Sequence, residues 1–257
     1  RIDVFTDTGC GESIAYSNDR GRTWKYYEGN PVIRHRGRDP YIVWYDYGKN
    51  DTPLNDEAEK LGGHWVIVVY DEKGGRNAAF YTSTDMKTWT EQSHLPGYFE
   101  CTNLFKLPVD GNKKNTRWVV FAADAKYAIG DFDGKKFTPE HKGKYQVHWG
   151  PYYASQCFHN DPKGRVIQVG WARIGMRGMP FNQAFTLSAR LTLHDTSDGV
   201  RMHVNPVEEL EKLRKSRPVK IKGKELTAEA SSVKAEIKGD LADVVLKVKK
   251  GTAPKVV

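Results

Sequence analysis

Cysteine is scarce in this sequence, and its spacing excludes two common kinds of cross-linked domain. The 257 residues include three cysteines, Cys10, Cys101 and Cys157, and no two of them have the C-x-x-C spacing. An odd, widely spaced set predicts neither a disulfide framework nor a zinc site.

Long apolar runs are also absent. No stretch approaches the ~18 apolar residues of a transmembrane helix, so no membrane span is expected. No signal-peptide pattern is visible within the chain. Because Arg1 is not an initiator methionine, the sequence leaves room for an upstream leader.

Positive charge is in excess but is unevenly distributed. The formal net charge is +8, and most of the surplus lies after Asn205, where Lys and Glu alternate with small and apolar residues. Nucleic-acid binding favours basic patches interleaved with aromatic residues, and no aromatic residue follows His203. The basic tail therefore indicates a solvated face, and no nucleic-acid partner is expected.

Short strands dominate the sequence pattern. Runs of β-branched and aromatic residues between Gly, Asp, Asn and Lys turns predict strands at 64–70, 117–121 and 165–171. Long amphipathic helical periodicity is missing, except around 207–213. The fold class is therefore predicted to be all-β.

A turn motif recurs along the chain. The pattern S-x-D-x-G-x-T-W occurs at 17–24, returns one residue shorter at 83–89 and has a degenerate copy at 130–137. Repeats of about 40–60 residues, each several short strands long, are typical of propeller blades. Three unrelated hairpins are the alternative. In a propeller, equivalent positions of neighbouring blades would face each other around the centre.

The composition changes near Asn205 and suggests three parts. Residues 1–204 are predicted to form the propeller, and residues 205–217 a linker helix after the Asn205-Pro206 turn signal. Residues 218–257 alternate apolar residues with Lys and Glu, as in strands with one solvated face. This segment is short for a β-sandwich, so we expect the beginning of an incomplete C-terminal module.

Two acidic motifs lie 61 residues apart, each beside a predicted buried strand. Asp39 follows Arg38, and Glu100 precedes Cys101. Two carboxylates from separate strands are what glycosidic bond cleavage requires. We expect Arg38 to keep Asp39 ionised and apolar neighbours to raise the pKa of Glu100. Taken alone, an Asp beside an Arg is usually a surface ion pair, and a Glu at a strand end is usually solvated.

These motifs resemble those of glycoside hydrolase family 32, the fructan-cleaving enzymes that include invertases, inulinases and levanases. Segment 38–44 is similar to the family's R-D-P-K-V-x-W, and 100–105 to its E-C-P-D-L-F. Segment 152–158 is similar to F-Y-A-x-Q-x-F, and 169–171 to I-G-W. The resemblance covers roughly residues 12–214.

The resemblance implies a five-bladed β-propeller and a role for each matching residue. Glu100 would be the general acid/base, and Asp39 would bind fructose hydroxyls and stabilise the transition state. Arg38 would orient the site and contact the sugar. Tyr153 and Trp171 would line the fructose pocket, or serve as core aromatics. The family mechanism is retaining and uses no metal or organic cofactor. Its substrates are fructans or sucrose, which imply an extracellular or periplasmic location.

One family motif is missing. The nucleophile motif W-M-N-D-P-N-G does not occur, and the N-D-P-K-G at 160–164 is interpreted as a hairpin turn. The first blade is therefore expected to be largely absent, and residues 1–257 to hydrolyse fructans negligibly. Thr102 and Asn103 also replace the usual Pro-Asp after Glu-Cys.

Three other functions remain open from the sequence. A sialidase-like propeller would explain the S-x-D-x-G-x-T-W turn, but no arginine triad with a tyrosine nucleophile is recognisable around the acidic motifs. A five-bladed glycosidase acting on arabinose or xylose polymers is more compatible, although the Glu-Cys pair argues against it. A degenerate propeller that binds carbohydrate without cleaving it is the non-enzymatic alternative.

Overall fold

A computed structural model describes residues 1–214, 219–221, 244, 245 and 247, and strands make up most of the secondary structure in them. The strands are β1 Ile2–Asp7, β2 Gly11–Tyr16, β3 Lys25–Tyr26, β4 Gly37–Asp46, β5 Gly63–Asp71, β6 Asn77–Ser83, β7 Thr90–Pro96, β8 Asn103–Val109, β9 Asn112–Phe121, β10 Lys126–Phe132, β11 Phe137–Pro139, β12 Tyr145–Gln146, β13 Tyr152–Phe158, β14 Val166–Ala172, β15 Ala184–Phe185, β16 Ala189–Thr196 and β17 Gly199–Pro206. The predicted strands at 64–70, 117–121 and 165–171 correspond to β5, β9 and β14.

Two short helices accompany the strands. Helix α1 spans Asp56–Leu61 and was not predicted, although its sequence carries the usual signals. The Asn55 side chain caps it by accepting from the Ala58 N–H at 2.8 Å, and Gly62 ends it in the left-handed conformation. A 3-10 helix at Glu208–Leu213 lies within the predicted linker.

The strands form consecutive antiparallel arrays. The first sheet is β1-β2-β3, and the second is the four-stranded array β4-β5-β6-β7. The third sheet contains two further four-stranded arrays, β8-β9-β10-β11 and β13-β14-β16-β17, joined where Leu193 of β16 pairs in parallel with Val109 of β8. The short strands β12 and β15 pair with β10 and β14. The arrays are the blades of the predicted all-β propeller.

The recurring turn has the same structure in each copy. Its aspartate accepts a backbone N–H bond from the residue three or four positions later: Asp19 from Thr23 at 2.9 Å, Asp85 from Thr88 at 2.8 Å and Asp133 from Lys136 at 2.7 Å. The turns join β2 to β3, β6 to β7 and β10 to β11. The second and third turns each join the last two strands of a four-stranded array. The three hairpins are therefore equivalent, and β1–β3 align with the last three strands of a blade.

The first strands of the blades lie against one another. The Tyr41 hydroxyl on β4 donates to the Cys157 carbonyl on β13 at 2.9 Å. The Asn103 amide on β8 donates to the Ser155 carbonyl on β13 at 3.1 Å. Since β4, β8 and β13 meet in this way, residues at their starting ends come together at one edge of the propeller.

The core consists of two apolar clusters. The larger one spans the second and third sheets and includes the fully buried Phe80, Phe121 and Leu193. The smaller one includes Ile33 and Ile67 and contains residues of the second sheet and of the segment preceding it. Strand β5 contributes to both clusters, which is why its sequence is continuously apolar rather than alternating. Each fully buried large side chain contributes roughly 1.5–3 kcal/mol of burial free energy.

The propeller forms one compact unit, Arg1–Val207, and Glu208–Val257 form a second. The predicted β-sandwich at 218–257 falls almost wholly outside the described residues and stays a prediction, as do the boundaries at 204 and 217. Within the described part of the chain, no helix has the length and apolarity needed to cross a bilayer.

Candidate active site

The backbone is unusual where the two acidic motifs lie. Asp39 has a φ of 65°, at an irregularity in the β4–β5 pairing between Arg38 and Tyr41. Glu100 and Cys101 have φ values of 52° and 43°. Non-glycine residues seldom adopt this left-handed region, and such positions cluster at functional sites. Three of the ten non-glycine residues with a positive φ in the described part of the chain lie in these two segments.

The Glu100 carboxylate is held through both of its oxygens. Oε1 accepts from Arg38 Nε at 3.0 Å and also from Arg38 Nη2, while Oε2 accepts from the Tyr153 hydroxyl. The Glu100 side chain is 19% exposed. Charge-assisted bonds of this kind are stronger than neutral ones, so β4, the β7–β8 connection and β13 converge on one fixed carboxylate.

The Asp39 carboxylate lies beside the same segment. Its Oδ2 accepts from the Cys101 backbone N–H at 3.1 Å, and the Cys101 thiol lies 3.6 Å from the same oxygen. The Asp39 N–H donates to the Thr6 hydroxyl of β1 at 2.9 Å. Among the described residues, no group hydrogen-bonds to the second oxygen, Asp39 Oδ1. The two acidic motifs, distant in sequence, share one site.

The ionisation of Glu100 differs from the expectation. Burial raises the pKa of this carboxyl, but the hydrogen bonds from Tyr153 and Arg38, with the positive charge of Arg38, outweigh burial and lower the pKa below its ordinary value. The expected raised pKa is therefore wrong for this state of the site. The Arg38 guanidinium contacts Glu100 and Glu72 and interacts with Asp39 through charge alone. The bond to Glu100 likewise raises the pKa of Arg38.

Cys101 supports the site without being reactive. Burial, together with the nearby Asp39 charge, raises the pKa of this thiol to about 12. A neutral thiol is a poor nucleophile. Cys101 therefore acts through its backbone N–H, which fixes Asp39.

Three arginines surround the Glu100–Tyr153 pair. Arg76, in the β5–β6 turn, lies 4.3 Å from the Phe99 ring centroid, and Arg38 lies 5.7 Å from the same ring. Arg173, just after β14, lies 4.6 Å from the Tyr153 ring centroid. Arg76 and Arg173 were not predicted, nor was any arginine cluster at this place. Strand register places Arg76, because Gly37 pairs with Asp71 and thereby sets the 72–76 turn beside Arg38, and no local sequence signal marks either arginine.

Tyr153 and Trp171 form an aromatic wall at the site. They are directly paired across β13 and β14, with ring centroids 6.2 Å apart and planes at 66°. Trp171 is 40% exposed, and its indole N–H donates to Gln183. Ligand pockets commonly combine such aromatic surface with a few fixed polar groups. All five residues selected from the sequence, Arg38, Asp39, Glu100, Tyr153 and Trp171, thus lie at one edge of the propeller.

Asn103 positions the strands beneath the site. Its fully buried amide donates to the Ser155 carbonyl, and its oxygen accepts from the Cys157 N–H at 2.8 Å. This side chain thus supplies hydrogen bonds between β8 and β13 that main-chain groups supply between paired strands. The unusual Asn after Glu-Cys-Thr therefore has a structural role that was not predicted.

A paired aspartate and glutamate with an arginine and an aromatic wall, at the edge of a β-propeller, define a site of the glycosidase class. The sequence matches the model of the glycosyl hydrolases family 32 N-terminal domain over residues 7–206. The chain belongs to glycoside hydrolase family 32.

Relatives in this family are similar along most of the chain. A levanase of Bacillus subtilis (strain 168) is 33% identical over 234 residues, covering 79% of this chain and 32% of the relative. An invertase of Schizosaccharomyces pombe is 31% identical over 222 residues, covering 75% and 36%. The solved exo-inulinase of Aspergillus awamori superposes with a TM-score of 0.62 at 26% identity, covering 76% and 43%. The chain thus spans less than half the length of these relatives.

Proposed function

We propose that this chain is the propeller portion of a retaining glycosidase that cleaves β-fructofuranosidic bonds in levan, inulin or sucrose and releases fructose. The observation that carries the proposal is the shared site of Asp39 and Glu100, fixed by Arg38 and Tyr153. The levanase, invertase and exo-inulinase relatives bear names that match this reaction. No step of it calls for a metal or organic cofactor.

Each residue has a distinct task in this proposal. Asp39 Oδ1 accepts a hydrogen bond from a fructose hydroxyl and stabilises positive charge that develops on the sugar ring. Arg38 holds Glu100 and contacts the sugar. Glu100 protonates the leaving oxygen and then takes a proton from water. Tyr153 and Trp171 enclose the ring.

The lowered pKa of Glu100 suits the second of these steps better than the first. An ionised carboxylate is ready to take a proton from water, whereas the first step needs a protonated carboxyl. A further carboxylate close to Glu100 would raise its pKa. The family's nucleophile motif is absent from residues 1–257, so we propose that the nucleophilic carboxylate comes from outside these residues.

The experiment has two parts. The coding DNA upstream of Arg1 is sequenced, and the protein is produced with and without any segment that carries an Asn-Asp-Pro motif. The extended protein is expected to release fructose from levan, inulin or sucrose, and Glu100→Gln is expected to abolish the release. An extended, folded protein that releases no fructose contradicts the proposal. Release by residues 1–257 alone that depends on Glu100 contradicts the external nucleophile.

Carbohydrate binding without hydrolysis is the second candidate. The ionised Glu100 and the missing nucleophile motif favour it. A binding module would hold fructan without cleaving it in every version of the protein. We propose an extracellular or periplasmic location in both cases, since the Aspergillus niger relative is named an extracellular exo-inulinase and polymeric fructans are too large to enter cells unaided.

A further inference from the structure

A buried acidic side chain lies close to the candidate active site and is not among the groups that the proposed reaction uses. Glu12, in β2, is fully buried, and the side chain of its neighbour His35 is 4% exposed. Placing a carboxylate in a protein interior is unfavourable unless the group is paired and hydrogen-bonded. The contacts of Glu12 therefore indicate what this carboxylate does.

The segment before β4 lies directly against β2. The Glu12 N–H donates to the Ile33 carbonyl at 2.9 Å, and the Glu12 carbonyl accepts from the Val32 N–H at 2.8 Å. Gly11 permits this approach, because a Cβ at that position would overlap the Ile33 carbonyl oxygen. The backbone pairing brings His35, two residues after Ile33, to the side chain of Glu12.

The Glu12 carboxylate connects this segment to β1. Its Oε1 lies 2.8 Å from His35 Nε2, and its Oε2 accepts from the Thr6 hydroxyl at 3.1 Å. Thr6 and Glu12 are directly opposite each other in the β1–β2 pairing, so their side chains lie on one face of the sheet. Both oxygens of the buried carboxylate thus have partners, one from each side.

The direction of the Thr6 hydroxyl proton matters for Asp39. The Thr6 oxygen accepts from the Asp39 N–H at 2.9 Å. Because a backbone N–H only donates, the single Thr6 proton has to point away from Asp39, and Glu12 Oε2 is the acceptor that it meets. Without the Glu12 carboxylate the hydroxyl can rotate, and its proton can then face the Asp39 N–H.

We propose that Glu12 is a positioning residue for Asp39 and acts through the Thr6 hydroxyl. Thr6 holds the backbone N–H of Asp39, and the Cys101 N–H holds the Asp39 carboxylate at 3.1 Å. Asp39 has a φ of 65°, and such a conformation persists only where the surrounding structure enforces it. The inference rests on the proposed function, in which Asp39 contacts the fructosyl unit.

The test has to separate positioning from a merely structural role of Glu12. Two quantities are measured on residues 1–257: the exchange rate of the Asp39 amide proton by NMR and the affinity for fructose by calorimetry. The variants are Thr6→Val, Glu12→Met and their combination, with Thr6→Ser as the conservative variant that keeps the hydroxyl. Thr82→Val is the matched control, because Thr82 is a buried threonine of β6 that accepts from Gln92 at 2.8 Å.

Thr6→Val and Glu12→Met are each expected to speed exchange of the Asp39 amide and to weaken fructose binding by roughly three- to tenfold, as for the loss of one hydrogen bond. Because Glu12 acts through Thr6, adding Glu12→Met to Thr6→Val is expected to change neither quantity further. Thr6→Ser and Thr82→Val are expected to keep the wild-type values.

A second measurement needs no substitution at Glu12 and decides the matter if Glu12→Met does not fold. The Thr6 hydroxyl proton of the wild type is expected to give an NMR signal with a nuclear Overhauser effect to the Glu12 side chain. A Thr6 hydroxyl proton without this contact overturns the positioning role.

The variants provide further outcomes that contradict it. Effects of Thr6→Val and Glu12→Met that add in the combined variant overturn the positioning role, and so does an Asp39 exchange rate that Thr6→Val leaves unchanged. A wild-type chain that binds no fructose but shows the expected exchange rates contradicts the proposed function and supports the positioning of Asp39 by Glu12.

Discussion

Glu100 illustrates how neighbouring residues decide what a carboxyl group can do. Its sequence neighbours are apolar, which predicts a raised pKa, yet two partners from other strands reverse the shift. Arg38 comes from β4 and Tyr153 from β13, each more than 50 residues away. The local sequence therefore identified Glu100 but not its ionisation, because Arg38 and Tyr153, which lower its pKa, come from distant strands.

The lowered pKa of Glu100 predicts an acid-dependent loss of stability. The folded protein binds this proton less readily than the unfolded chain, so the contribution is fully present above the ordinary carboxyl pKa of 4.5. It is lost as the pH falls below that value. Below about pH 4.5, the free energy of unfolding measured with urea is expected to fall more steeply for the wild type than for Glu100→Gln.

Other carboxyls also titrate in this range, so the difference between variants is the informative quantity. Glu59→Gln, on exposed α1, is the control and should follow the wild-type curve. Identical acid profiles for wild type and Glu100→Gln would show that the Arg38–Glu100 contact does not form in solution.

Tyr153 provides a second test at the level of single residues. Its hydroxyl donates to Glu100, so Tyr153→Phe removes one of the bonds that lower the pKa of that carboxyl. The Glu100 pKa is expected to rise in Tyr153→Phe, measured by carbon NMR titration of its carboxyl signal. Tyr26→Phe, at an exposed tyrosine, should leave it unchanged. An unchanged pKa in Tyr153→Phe contradicts the hydrogen bond.

At the scale of elements, the strands and the Asp turns were predictable, whereas the links between blades were not. Strand β5 is recognisable from its apolar run, and the turns at Asp19 and Asp85 from their local pattern, because both depend on neighbouring residues. Helix α1 was missed although Asn55 and Gly62 mark its ends. The contact between Asn103 and β13 depends on long-range register, for which the sequence carries no local signal.

The Asn103 link predicts a large effect from a small change. Asn103→Leu keeps the branched shape, with bulkier methyl groups in place of the amide, and leaves the Ser155 carbonyl and the Cys157 N–H without this partner. Each buried group left unsatisfied costs about 1–3 kcal/mol, so we expect a loss of roughly 3 kcal/mol in the free energy of unfolding, measured with urea. Asn112→Ala, whose side chain caps an exposed turn, should cost well under 1 kcal/mol. A loss of comparable size in both variants would contradict the special role of Asn103.

At the scale of the whole molecule, the three cysteines report on the folded propeller. Cys10 is exposed, whereas burial raises the pKa of both Cys101 and Cys157 to about 12. Iodoacetamide at neutral pH should label Cys10 first and reach the other two only in denaturant, as followed by mass spectrometry. Rapid labelling of Cys101 in the native protein would show that iodoacetamide reaches the segment beside Asp39, so that Cys101 is not buried there.

The overall β-propeller followed from repeated turns and short strands, and the family match over residues 7–206 supports the same architecture. What the sequence could not supply is the environment of the site. Arg76 and Arg173 reach the site through strand register, Arg76 beside Arg38 and Arg173 beside Tyr153, which no local pattern encodes. The predicted β-sandwich stays untested for a different reason, since it lies outside the described residues.

The most direct measurement is a calorimetric titration of fructose into residues 1–257 and into Asp39→Asn. The substitution keeps the size of the side chain and removes the charge that would meet a sugar hydroxyl. The account predicts that the wild type binds fructose and that Asp39→Asn, although folded, binds at least about tenfold more weakly. Equal affinities, or no binding by the wild type, would contradict the assignment of this edge of the propeller as a fructosyl site.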